Sequence, residues 1–326
     1  MRLLLVLGLL LPLVRAEHIV VLGDSLSKEY EFEFQLEGFE DPESVRNWIE
    51  ILHAERNDRF NMGSRRDIDL VLFEAFFRHK FNWAVPGAKI DQISSFLRGE
   101  IEFVDFFPSS DPNPFEEVLN LVLGFITSED FDLDELDDQV RNKAERAVLF
   151  VGGNDTDNIY RELYEGDPSF DGAAWRASFV GEARFIMDWV LTRNPDIQFV
   201  LVGVPHIGIT PKVKGTHPTD PVATGRATTF LRQLNRDLAA LAREREVGFA
   251  DLFEATLPLL GEAPLCIHGQ GFANELAPEA GDPGSLDYVW MRGPASDGFH
   301  PNTNGQIQIA NEILQAFNRH YQSGIP

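Results

Sequence analysis

The chain has 326 residues, 28 of them Lys or Arg and 52 Asp or Glu, for a formal net charge of −24. A field of that sign repels phosphate backbones and anionic lipid headgroups, so nucleic acid is not an expected partner and the acidic surface serves chiefly for solubility. Cys266 is the single cysteine, which excludes an intramolecular disulfide and leaves a hydrophobic core to hold the fold.

Met1 and Arg2 precede an apolar stretch of 12 residues from Leu3 to Val14, and Val14-Arg15-Ala16 reads as a small-residue cleavage site. That is the pattern of an export signal over residues 1–16. The stretch is shorter than the roughly 20 residues of a bilayer-spanning helix, and no comparable run follows, so no stable membrane insertion is expected. Loss of Arg2 and Arg15 takes the charge from −24 to −26. The remainder, residues 17–326, is expected to be one domain, secreted or periplasmic.

Five short apolar runs read as strands, over residues 18–23, 81–85, 147–152, 198–204 and 247–252. Amphipathic stretches fall between them, the pattern of a parallel sheet covered on both faces, an α/β fold. Asp41 can cap a helix with Pro42 at its first position, turning Val45, Trp48, Ile49 and Leu52 to one face. Ala227, Leu231, Leu234, Leu238 and Leu241 form a second stripe, and Ala310, Ile313, Leu314, Phe317 and Tyr321 a third. Two segments read as insertions, near residues 100–139 and 257–296. They are expected either to wall a substrate cleft or to cover a sheet edge. The spacing of Asp130, Asp132 and Asp134 hints at a calcium loop, but Glu135 stands where such a loop needs glycine and Arg141 where it needs a carboxylate. An acidic helix start fits better.

Chemistry concentrates at the ends of the predicted strands. Ser25, in Gly23-Asp24-Ser25-Leu26, follows the first strand, at the carboxyl edge where open α/β sheets bind ligands. Asp297-Gly298-Phe299-His300 places a carboxylate three residues before a histidine. A serine hydroxyl needs an imidazole to take its proton and a carboxylate to orient that imidazole, so Ser25, His300 and Asp297 are the candidate triad. Gly87, after Pro86, and Asn154, in Gly152-Gly153-Asn154-Asp155, each follow a further predicted strand. The backbone N–H groups of Ser25 and Gly87 and the Asn154 amide are candidate oxyanion donors.

These four blocks, in this order, resemble the SGNH hydrolases, also called GDSL esterases and lipases. The resemblance runs from about His18 to Gln315 and leaves the two insertions uncovered. It implies a flavodoxin-like three-layer α/β/α sandwich with a central five-stranded parallel sheet, and hydrolysis of ester bonds without a metal or other cofactor. It also implies that Ser25 is the nucleophile, His300 the base and Asp297 its orienting acid, with Ser25, Gly87 and Asn154 forming the oxyanion hole. The expected substrate is a small-molecule or carbohydrate ester with a short acyl group, often acetyl. Phe103, Phe106, Phe107, Phe115 and Leu121 leave a lipase open as the alternative, and a non-catalytic binding protein on the same scaffold is the other. His206, after the fourth predicted strand, is a candidate substrate contact. Cys266 is expected to be a small buried hydrophobe. Neither the natural substrate nor the oligomeric state is legible.

Overall fold

The computed structural model describes residues 16–30, 42–70, 73–102, 132–218, 220–261, 263–278, 284–292 and 298–325. Five parallel strands form the central sheet: β1 (Glu17–Gly23), β2 (Phe60–Asn61), β5 (Ala144–Phe150), β6 (Gln198–Val202) and β7 (Gly248–Ala250), in the order β2-β1-β5-β6-β7. This order reverses direction between β1 and β5, which is where a doubly wound sheet opens a crevice.

The strands read as continuous apolar runs because both faces are covered. Val20, Leu22, Ala147, Leu149, Phe199 and Leu201 point into one core. Their neighbours Ile19, Val21, Val148, Phe150, Val200 and Val202 point into the other. The period of two along each strand thus feeds two cores, giving three layers. The first core is closed by helices α3 (Leu133–Asn142), α5 (Gly172–Arg193) and α7 (Pro221–Glu244), the last through Leu231, Leu234, Leu238 and Leu241. The second is closed by α1 (Trp48–Glu55) and α9 (Thr303–Tyr321), through Trp48, Ile49, Ile313 and Phe317. Among the described residues no helix is long and apolar enough to cross a membrane.

Two local expectations need correction. The segment at residues 81–85 does not form the strand expected there; the sheet's edge strand beside β1 is β2. The edge is nevertheless shared, because beyond β2 a hairpin of β3 (Arg65–Leu70) and β4 (Phe73–His79) leaves the sheet and the chain then returns beside β1. Val21 N–H donates to Phe81 O (3.0 Å), Trp83 N–H to Val21 O (2.8 Å) and Val85 N–H to Gly23 O (3.0 Å). The helix expected from Pro42 breaks into a 3-10 turn (Pro42–Val45) and α1. Asn47 causes the break: its side chain accepts from Ile49 and Glu50 N–H while Glu50 accepts from Asn47 N–H, a reciprocal cap that starts a new helix.

Of the first insertion, residues 103–131 lie outside the described residues, and with them the five apolar side chains of the lipase alternative. Its end is the helix α3, with Asp132 as N-cap accepting from Asp134 N–H (3.0 Å), an acidic helix start as expected. The second insertion folds into a small sheet of β8 (Leu265–Ile267), β9 (Gln270–Leu276) and β10 (Tyr288–Trp290). Cys266 is exposed, contrary to expectation, because β8 turns Leu265 and Ile267 inward and the residue between them outward.

Candidate active site

Ser25 sits in the tight turn that ends β1. Gly23 is required there, since a Cβ would lie 2.6 Å from Phe150 O on the adjacent strand. The turn is closed by Asp24, whose Oδ1 accepts from Leu26 N–H (3.0 Å) and whose carbonyl accepts from Ser27 and Lys28 N–H (3.0 and 3.2 Å). The following residues carry two charges, yet Leu26 to Tyr30 are all at most 6% exposed. Buried polar groups need partners. Here Trp48 Nε1 donates to Ser27 Oγ (3.1 Å), Asn82 Nδ2 to Ser27 O (2.9 Å) and Asn47 Nδ2 to Lys28 O (2.5 Å). Glu29, fully buried, accepts from His79 N–H (2.9 Å), His79 Nδ1 (2.7 Å) and Asn82 Nδ2 (2.6 Å).

His300 arrives from 275 positions down the chain, and its Nε2 lies 2.7 Å from Ser25 Oγ. A backbone ladder to β10 and to Met291 just beyond it holds it there. Met291 N–H donates to His300 O (3.0 Å), Gly298 N–H to Met291 O (3.0 Å) and Asn302 N–H to Val289 O (2.8 Å). The second insertion therefore grips the histidine segment, a role beyond edge cover. The Tyr30 ring meets the imidazole edge-on, with centroids 6.3 Å apart, and its hydroxyl accepts from Gln306 Nε2 (2.9 Å). Asp297 lies outside the described residues.

Gly87 follows the shared edge segment with φ +77°, a conformation that favours glycine, and open space faces the position of its missing Cβ. Asn154 lies in the first turn of α4 (Gly153–Glu165), and its Nδ2 donates to Ala88 O (3.1 Å). That bond joins the Asn154 loop to the Gly87 loop, and an amide has a second N–H to offer. Two buried carboxyl groups hold the same loops. Asp24 is 1% exposed, and burial pushes it up to about 6 against the N–H groups of Leu26, Gly153 and Gly152, which favour its anion. Asp155 accepts from Ile90 N–H (3.3 Å), three residues beyond Gly87, and burial pushes it up to about 7.

Residues 19–313 match the profile of the family described as GDSL-like Lipase/Acylhydrolase. The chain belongs to this family. GDSL-like acylhydrolases are carboxylic ester hydrolases, so the protein is an enzyme of that class. Similar solved structures include an extracellular lipase from Streptomyces rimosus, at 16% identity over 92% of this chain and 100% of that one, with a TM-score of 0.48. An acetylxylan esterase from Geobacillus stearothermophilus has 14% identity over 96% and 97%, with a TM-score of 0.44. A lipolytic protein of the G-D-S-L family from Veillonella parvula has 15% identity over 93% and 100%, with a TM-score of 0.42. No curated protein matches the sequence.

Within this acylhydrolase fold His206, the candidate substrate contact, is turned into the core. It is fully buried, its Nδ1 accepting from Gly208 N–H (3.1 Å) and its Nε2 lying 3.0 Å from Thr228 Oγ1. Because Gly208 donates to Nδ1, the ring proton belongs on Nε2, where Thr228 Oγ1 accepts it while donating onward to Thr224 O (2.7 Å). Burial lowers the imidazole to about 4, so it stays neutral and structural. Position after a strand suggested a cleft residue; the turn it caps, Ile207–Ile209, takes the ring inward instead. Sequence reasoning missed Glu29, His79 and Asn82 as a bracing group. The available signal was an ionisable pair, Lys28-Glu29, immediately after a nucleophile motif, where a solvent-facing turn would be the simpler reading.

Proposed function

We propose that the protein is an exported serine ester hydrolase that cleaves short acyl esters, carried foremost by the 2.7 Å contact between His300 Nε2 and Ser25 Oγ. Ser25 Oγ attacks the ester carbonyl carbon as its proton passes to His300 Nε2. The negative charge on the carbonyl oxygen is met by the N–H groups of Ser25 and Gly87 and the amide of Asn154. The intermediate collapses with cleavage of the carbon–alkoxy bond, His300 giving its proton to the departing alcohol. Water then attacks the acyl carbon as His300 accepts its proton, and His300 gives that proton to Ser25 Oγ as the bond to the acyl carbon breaks and the carboxylic acid leaves. Asp297 is assigned the orienting role at Nδ1.

Support for a short acyl group comes from a small apolar cavity of about 50 Å³ beside these loops. Leu26, Gly153, Phe299 and Pro301, chain neighbours of Ser25, Asn154 and His300, line it together with Val289 and Trp290 of the second insertion. A cavity of about 150 Å³ takes up benzene, so this one suits a tail of about two or three carbons. The test is hydrolysis of nitrophenyl acetate, butyrate and palmitate beside a Ser25→Ala variant. Turnover that is lost in the variant and falls with chain length supports the reading; preference for palmitate makes the protein a lipase, and undiminished turnover in Ser25→Ala refutes the scheme. Export rests on the pattern of residues 1–16, and the exported protein is expected to begin at Glu17 on N-terminal sequencing. Residues 17–326 are proposed to act as one domain.

A further inference from the structure

Two aromatic rings stand against the His300 imidazole. Phe299, its own chain neighbour, has its ring centroid 5.6 Å away and its plane at 73°. Tyr30, which closes the turn that carries Ser25, lies 6.3 Å away at 84°. Both are separations of perpendicular aromatic contacts, about 4.5–7 Å. What holds Tyr30 reaches both halves of the catalytic pair. Its hydroxyl accepts from Gln306 Nε2 (2.9 Å), and Gln306 is fully buried in the first turn of α9, shortly after His300. Gln306 Oε1 accepts from Trp48 N–H (3.1 Å), and Trp48 Nε1 donates to Ser27 Oγ (3.1 Å). Tyr30 N–H donates to Glu50 Oε2 (3.1 Å), and its ring packs with Val45 and with Met291, whose N–H donates to His300 O. The ring is thus fixed at its backbone, its body and its hydroxyl.

We propose that Tyr30 is a positioning residue for His300, its ring holding the imidazole at the tilt that points Nε2 at Ser25 Oγ; the inference rests on the ester-hydrolase reading above. Hydrogen bonds to Val289 and Met291 place the backbone of the His300 segment, but they leave the side-chain torsions open, and the second torsion of an imidazole has a broad minimum. A rigid wall selects one tilt and keeps it while Nε2 takes and returns protons. Because Tyr30 belongs to the Ser25 turn, it registers the imidazole against the nucleophile locally, although the pair is 275 positions apart in the chain. Tyr30 itself makes and breaks no bond: it is 5% exposed, and its hydroxyl meets Gln306 rather than the reacting atoms. A displacement of about 1 Å in such a site costs about 100-fold in rate, which is the scale of effect open to a positioning ring.

The test is a double-variant cycle on nitrophenyl acetate. Tyr30→Leu keeps apolar volume beside Val45 and Met291 but removes the ring, and is expected to lower kcat about 10 to 100-fold while KM stays within about twofold. Tyr30→Phe restores the ring and is expected to recover most of kcat, at a lower melting temperature because Gln306 Nε2 has lost its acceptor. In the His300→Ala background Tyr30→Leu is expected to cost nothing further, since a residue that acts through the imidazole has no effect once the imidazole is gone. An unchanged kcat in Tyr30→Leu, an equal loss in Tyr30→Phe, or the full loss repeated in the His300→Ala background each overturns the inference. Should Tyr30→Leu fail to melt cooperatively, Tyr30→Met, an adaptable chain that fills the same gap, takes its place in the cycle. Undiminished turnover in Ser25→Ala or His300→Ala is a different result: it overturns the ester-hydrolase reading, and this inference with it.

Discussion

The two halves of the candidate catalytic pair are held in different ways. Ser25 is fixed chiefly by buried side chains, with Glu29, Asn47, Trp48 and Asn82 bracing an irregular turn. The His300 segment is fixed by backbone hydrogen bonds to Val289 of β10, a strand of the second insertion, and to Met291 just beyond it. The nucleophile side is therefore part of the core, whereas the histidine side depends on an accessory sheet. A buried polar network has no half-measures, since each lost partner strands a desolvated group. A backbone ladder in a small outer sheet can loosen by degrees.

The largest expected effect asks whether the two sides act as one unit. Ser25→Ala and His300→Ala should each lower kcat by about 10⁴-fold or more, and the double variant should be no worse, because neither group works without the other. Additive losses in steady-state kinetics would break that picture. Asn154→Ala should cost roughly 100 to 1,000-fold in kcat with a small change in melting temperature, having removed the proposed oxyanion donor and one bond to Ala88 O. A loss confined to KM would count against the donor role.

On the nucleophile side, Glu29→Ala removes the acceptor shared by His79 N–H, His79 Nδ1 and one N–H of Asn82 Nδ2 and should destabilise the whole fold by about 3–5 kcal/mol in denaturant titrations. Asn274→Ala probes the other side. It removes the acceptor of Trp290 Nε1 (2.8 Å) and the donor to Leu259 O (2.7 Å), a cost of about 1–2 kcal/mol. Faster amide exchange in β10 and a few-fold lower kcat are expected, with global stability little changed; the reverse pattern in the two variants would invert the comparison.

The smallest effect concerns pH. Asp155 keeps a proton in the folded protein up to about 7, while its ordinary value is 3.8. The native state thus binds the extra proton between these values, and stability declines as the pH rises from about 4 to 7. Asp155→Asn removes that slope, so its melting temperature relative to the parent should rise between pH 4 and pH 8. A constant difference would mean that the carboxyl is ionised throughout.

Much of this architecture was legible in the sequence because it is periodic or local. Apolar runs without alternation forced strands buried on both faces, and the stripe from Ala227 to Leu241 had no other use than packing. Ser25, Gly87 and Asn154 declared themselves by following apolar runs read as strands, since a strand's carboxyl end in an open sheet points at the crevice. The share of the edge taken by β2 was not legible: two residues, Phe60 and Asn61, are too few to show a period, and the segment at 81–85 matched a strand equally well. Tertiary structure alone decided that Glu29 is a buried brace, that His206 turns inward to Thr228, and that β10 carries His300. Glu29 and His206 depend on partners 22 to 53 positions away, and His300 on the return of its segment against the end of β10, meetings settled by how the layers close rather than by any local preference. The sequence by itself determined the sheet and which residue types stand at its crest; the closing of the chain over 275 positions determined that two of them touch.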